Sequence, residues 1–122
     1  MGKALALAEG RPGKIVNLLD ASALRPKNQY FSYTVSKFGL DGLTKATAHA
    51  LAGRNIQVNG IALGAILPNI NDDPAKFEKL AKNIPAGRTG SPQDVVTAML
   101  CFLRADYTSG EIIRVDGGKH LE

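Results

Sequence analysis

Lys14–Leu19, KIVNLL, is the stretch whose reading decides the fold. It follows Arg11-Pro12-Gly13 and is short and nearly continuous in apolar character. Such a run, bounded by turn residues, suits a strand covered on both faces, as in a parallel sheet. Working outward, Asp20 to Gln29 is polar and turn-like, with Pro26 and Asn28. From Tyr30 the period changes. Val35, Phe38, Leu40, Leu43, Ala46, Thr47, Ala50 and Leu51 recur at three and four, which predicts an amphipathic helix ending near Gly53. Asn55–Leu63, NIQVNGIAL, alternates and then turns apolar, as a second strand does. Asp73-Pro74 and Ser91-Pro92 each pair a capping residue with proline at the first helical position. They predict helices reaching about Lys82 and about Leu103, the second with Asp94 favourably placed in its first turn. Glu111–Asp116, EIIRVD, reads as a third strand ended by Gly117-Gly118. Met1–Gly10 is too short for a secretory signal and reads as the tail of a helix.

Strands alternating with helices imply right-handed crossovers and a parallel sheet, hence an α/β fold. Three strands are few for this architecture, and an apolar first strand would naturally have a further neighbour. The chain therefore reads as the second half of a doubly wound, Rossmann-type sheet: residues 1–122 form one incomplete domain, with Leu121-Glu122 as a tag remnant. The sequence contains no G-x-G-x-x-G or Walker motif, so the phosphate-binding N-terminal half is expected to be a missing partner. An unpaired apolar edge leads us to expect a chain that oligomerises, swaps or needs that other half.

Composition narrows the function. No apolar run approaches the roughly 20 residues that span a bilayer, so no membrane partner is expected. Cys101 is the only cysteine, which excludes an intrachain disulfide and fits a reducing cytoplasm. Its neighbours in AMLCFL predict a buried structural thiol. The net charge of +4 comes from scattered lysines and arginines without interleaved aromatics, so nucleic acid is not an expected partner. No metal site is expected.

Asn28–Lys37, NQYFSYTVSK, places Tyr33 and Lys37 four residues apart at the start of the long helix. That spacing puts both on one helix face. A neighbouring ammonium favours the phenolate and lowers a phenol's pKa, so Tyr33 could protonate a reducing carbonyl or imine. Tyr30 is a competing phenol whose plain role is packing. Asp20 ends the first strand and Gly64 follows the second, at the sheet edge where open parallel sheets bind ligands. The competing reading of Asp20 is a turn cap. Gly39 and Gly42 weaken the long helix by about 1 kcal/mol each relative to alanine. Close approach of another helix or of a ligand is their best account.

Taken together, GKIVNLLD, YTVSK, NIQVNGIALG, IPAGRTGSPQDV and TSGEIIRVDGG resemble, in order and spacing, the C-terminal half of a short-chain dehydrogenase/reductase. The resemblance implies a nicotinamide cofactor, NADP or NAD, with Tyr33 as general acid/base. It implies that Lys37 lowers the pKa of Tyr33 and binds the nicotinamide ribose, and that Gly64 and Ile66 lie at the nicotinamide. Leu63 stands where the family usually has proline. Asp20 stands where most members have serine, and in this it resembles the pteridine reductase and dihydromonapterin reductase branch. There the expected reaction is reduction of a pterin-like C=N, assisted by the aspartate. Asn69, Asn71, Asp72 and Asp73 also suit that branch, or serve only as turn and cap. The alternatives are a carbonyl or 3-oxoacyl thioester reductase of the same family, and a chain that alone is a non-catalytic assembly fragment. The family also implies a homo-oligomer through the helix carrying Tyr33 and Lys37, against the helix whose tail would be KALALAE.

Overall fold

The computed structural model describes residues 12–22, 30–71 and 73–122. The expected helix tail at Met1–Gly10, most of the polar loop before Tyr30, and Asp72 lie outside them. The strands are β1 (Gly13–Asp20), β2 (Ile56–Leu63) and β3 (Ile112–Val115); the helices are α1 (Phe31–Leu51), α2 (Pro74–Lys79) and α3 (Pro92–Arg104). All three strands are parallel, in the order β1-β2-β3. Asp20 lies opposite Leu63, which in turn lies opposite Val115, so the C-terminal ends of the strands come together. β2 starts at Ile56 because Asn55 adopts a left-handed conformation, with its N–H bonded to Ala52 O.

β2 is the central strand, and Val58, Ile61 and Ala62 have no exposed surface. The two faces of the sheet are covered by different helices. Ala48 and Leu51 of α1 pack with Ile56 and Val58, and Leu40 joins Leu19 and Ala62. On the other face Ala98 and Phe102 of α3 pack on Ile61, Ile113 and Val115. This is the doubly wound arrangement that KIVNLL predicts. The polar residue of that run is also accounted for: Asn17 Nδ2 donates to Thr44 Oγ1 (2.9 Å), and Thr44 Oγ1 donates to Leu40 O (2.7 Å). Thr44 is fully buried, and a buried polar side chain needs such partners.

Helix ends follow the capping chemistry. Asp73 accepts from Ala75 N–H, but α2 tightens into a 3₁₀ turn over Leu80–Asn83 instead of staying α-helical to Lys82. Ser91 and Asp94 form a reciprocal capping box ahead of α3. Arg88 adds a two-pronged ion pair, its two terminal nitrogens each 2.9 Å from an Asp94 oxygen.

Two expectations about faces are corrected. The apolar residues of α1 form two faces. Leu40, Ala48 and Leu51 meet the sheet, whereas Val35, Phe38 and Leu43 are exposed. A side chain added at Gly39 or Gly42 would meet nothing, so no helix of the described chain approaches them closely. Cys101 is exposed, not buried. It lies about 100° round α3 from Phe102, and Phe102 is the residue that faces the sheet. No described helix is long and apolar enough to cross a membrane.

Candidate active site

Asp20 is the last residue of β1, and its two carboxylate oxygens do different things. Oδ1 accepts from the N–H of Ser22 (2.7 Å) and from its hydroxyl (2.6 Å), closing the turn that leaves the strand. Oδ2 accepts from the Tyr33 hydroxyl at 2.7 Å. The turn cap and the contact with Tyr33 are therefore both made by one carboxylate. They do not compete, because each uses a different oxygen.

Tyr33 sits in the first turn of α1, with about half of its surface exposed. Tyr30, the competing phenol, is left out of this contact. It precedes α1 with φ 59°, ψ 45° and is largely exposed, so the packing role also fails. Lys37 reaches back to β1 and donates to Leu18 O at 3.2 Å. Its ammonium lies 5.6 Å from the centroid of the Tyr33 ring, which is cation–π distance.

The electrostatics correct one expectation. Partial burial, then the hydrogen bond to Asp20, then the charge of Asp20 push the Tyr33 phenol up to about 12. Lys37 was expected to lower it. The reason is position: the phenol is partly buried and the carboxylate touches its oxygen and stabilises its proton, whereas Lys37 Nζ is engaged with the strand carbonyl. In the described chain Tyr33 is thus a firmly protonated phenol across the physiological range.

Gly64 follows β2 directly, at the same sheet edge. Ala21 N–H donates to Leu63 O (2.8 Å) and Gly64 N–H to Val115 O (2.9 Å), so the exits of the three strands are tied together. Ile66 packs over Gly90, where a Cβ would lie 2.5 Å from Ile66 Cδ1. The structure therefore brings Asp20, Tyr33 and Lys37 together, and ties the Gly64–Ile66 turn to the strand end beside them. Further along the same loop, Ala65, Leu67, Asn69, Lys76, Phe77 and Leu80 line a cavity of about 230 Å³. Asp73 acts as a cap.

Asp116 escaped the sequence reading. It is buried, and it accepts from Gly118 N–H (3.0 Å) and His120 N–H (2.9 Å) while facing His120 Nδ1 at 2.9–3.0 Å. Burial works to raise its carboxyl, but the His120 ring and the two N–H groups outweigh that and hold it below its usual range. The signal was an aspartate followed by two glycines. By itself that pattern marks only the end of a strand.

Comparison with known proteins bears on the family and the fold. The family described as enoyl-(acyl carrier protein) reductase matches residues 1–120. Carbonyl reductase family member 4 of Danio rerio is 38% identical over 109 residues, which make up 89% of this chain and 46% of that protein. The 3-oxoacyl-[acyl-carrier-protein] reductase FabG of Thermotoga maritima is 40% identical over 113 residues, 88% of this chain and 46% of the relative. Among solved structures, FolM alternative dihydrofolate reductase 1 from Brucella suis, in complex with NADP, is similar with a TM-score of 0.86. It is 35% identical, and the match covers 93% of this chain and 46% of that one. The chain thus spans about half the length of the relatives it matches.

Proposed function

The chain belongs to the short-chain dehydrogenase/reductase family, and from that premise we propose that it is the substrate-side half of an NADP-dependent reductase acting on a pterin-like C=N. The observation that carries this reading is the 2.7 Å bond from the Tyr33 hydroxyl to a carboxylate at the end of β1. A phenol locked to a carboxylate is a poor acid until that bond is given up. A heterocycle presenting ring N–H groups to Asp20 draws the carboxylate away and frees the phenol. A bare carbonyl offers no such donor. Tyr33 then gives its proton to the ring nitrogen while the adjoining carbon takes a hydride, turning C=N into CH–NH. The NADP complex of the similar FolM reductase supports the choice of cofactor, with NAD as the alternative.

The described residues fit the nicotinamide end of such a cofactor. Gly64 is hemmed in by backbone on one side, and Lys37 lies at the strand edge beside Tyr33. The cofactor supplies the hydride when bound; Lys37, Gly64 and Ile66 would hold it at this edge. The sequence has no glycine-rich phosphate turn, so this chain by itself is a poor berth for the pyrophosphate. We read the isolated chain as inactive and the activity as that of a longer protein, in the cytoplasm. The uncovered face of α1, with Val35, Phe38 and Leu43 around two open glycines, suits a second copy of the chain.

In the longer reductase, Tyr33→Phe should lower turnover by about 10²- to 10⁴-fold, the usual contribution of a positioned general acid. Undiminished turnover would sink the reading. A second reading, a carbonyl or 3-oxoacyl thioester reductase, is favoured by the names of the two relatives above. Comparing kcat/KM for dihydropterins, quinonoid pterins and oxoacyl thioesters separates the two. For the isolated chain, absence of any NADPH fluorescence change on mixing is the expected result.

A further inference from the structure

The turn that carries Gly64 is held from beneath by a part of the chain far from it in sequence. A Cβ on Gly64 would lie 2.7 Å from Asp116 Cα and 2.8 Å from Asp116 Cβ. A main-chain atom cannot swing aside as the end of a side chain can, so the turn rests on Asp116 itself. Asp116 is in turn fixed by the residues after it. Gly117 and Gly118 take φ of 63° and 86°, which only glycine adopts without strain, and curl the chain back. The curl returns Gly118 N–H, His120 N–H and the His120 ring to the Asp116 carboxylate.

The knot is also wedged from the side. Ala86 N–H donates to Gly117 O (3.0 Å), and a Cβ on Gly117 would lie 2.6 Å from Ile84 Cγ2. From the other end of the turn, Gly90 N–H donates to Ala65 O at 2.8 Å. The Gly64 turn therefore has one rigid support below and one clamp behind, and both come from the C-terminal third of the chain.

We propose that Asp116 is a positioning residue for the reductase: its carboxylate locks residues 117–120, which holds its own backbone against Gly64 and sets the height of the cofactor-facing turn relative to Tyr33. This rests on the reading of Gly64 as the nicotinamide contact. Asp116 touches neither proton nor hydride. Loss of the lock lets the turn sink or tilt, and hydride transfer slows while the rest of the cofactor stays bound.

Two measurements test this. In the ¹⁵N-labelled chain, Asp116→Asn should speed amide exchange at Gly64 by at least about tenfold relative to Ile61 in β2. His120→Ala, which removes only the ring, should act in the same direction but less. Unchanged protection at Gly64 overturns the proposal. In the longer reductase, Asp116→Asn should lower kcat about tenfold with KM for NADPH within about threefold, and should raise the deuterium isotope effect on hydride transfer. A core variant away from the turn, Phe102→Leu, should leave that isotope effect unchanged. An active Asp116→Asn enzyme with unaltered isotope effect overturns the positioning role and leaves the reductase reading standing. Undiminished turnover in Tyr33→Phe overturns the reductase reading instead.

Discussion

Asp20 brings a carboxylate against the phenol of Tyr33, and Tyr33 registers it. With a folded pKa of about 12 against about 10 for a free phenol, Tyr33 favours the folded state while it is protonated. The raised value fixes the sign. The contribution is fully present below pH 10 and is lost as pH rises from about 10 to about 12. Ultraviolet difference absorbance should show one tyrosine titrating near 12. Asp20→Asn should move it down toward the ordinary value, and only partway, because burial is the largest cause and remains. An unmoved titration would show that the carboxylate contributes nothing.

α3 shows most plainly how local chemistry makes an element. Ser91 and Asp94 satisfy each other's backbone N–H groups, Pro92 presets the first turn, and Arg88 clamps Asp94 from the preceding loop. Arg88 and the Ser91 groups keep the Asp94 carboxyl well below the usual carboxylate range. Ser91→Ala should cost about 1 kcal/mol of stability in urea unfolding, the usual value for a lost cap. Phe102→Ala, which empties the face of α3 packed on Ile61, should cost about 3–5 kcal/mol. The capping signals were legible because they are local in sequence. The exposure of Cys101 is not legible in the sequence, because a run of apolar neighbours does not say which of them faces the sheet. α1 is illegible in the same way: one periodicity conceals two faces, only one of which has a partner in the described chain.

At the scale of the whole molecule the unfinished surfaces matter most. Among the described residues β1 pairs only with β2, and Leu18 near its end is exposed. An open parallel edge together with the bare face of α1 predicts association. Sedimentation of the isolated chain should show species larger than a monomer, and Leu43→Glu on the bare face should shift them toward smaller ones. A clean monomer with slow amide exchange along Lys14–Leu19 would count against both surfaces as contacts.

The sequence by itself determined the order and type of the described strands and helices, the parallel sheet, and the candidates Asp20, Tyr33, Lys37 and Gly64. Each is written in a local pattern: an apolar run, a cap before proline, a four-residue spacing. Only the tertiary structure decided that the Asp20 carboxylate serves both the turn and the phenol, that partial burial and this contact raise the pKa that Lys37 is expected to lower, and that Asp116 underlies Gly64. Those three facts depend on atoms 13 to 52 positions apart meeting within a few ångströms. Such meetings are set by how strands stack and helices cross, and no local pattern encodes them.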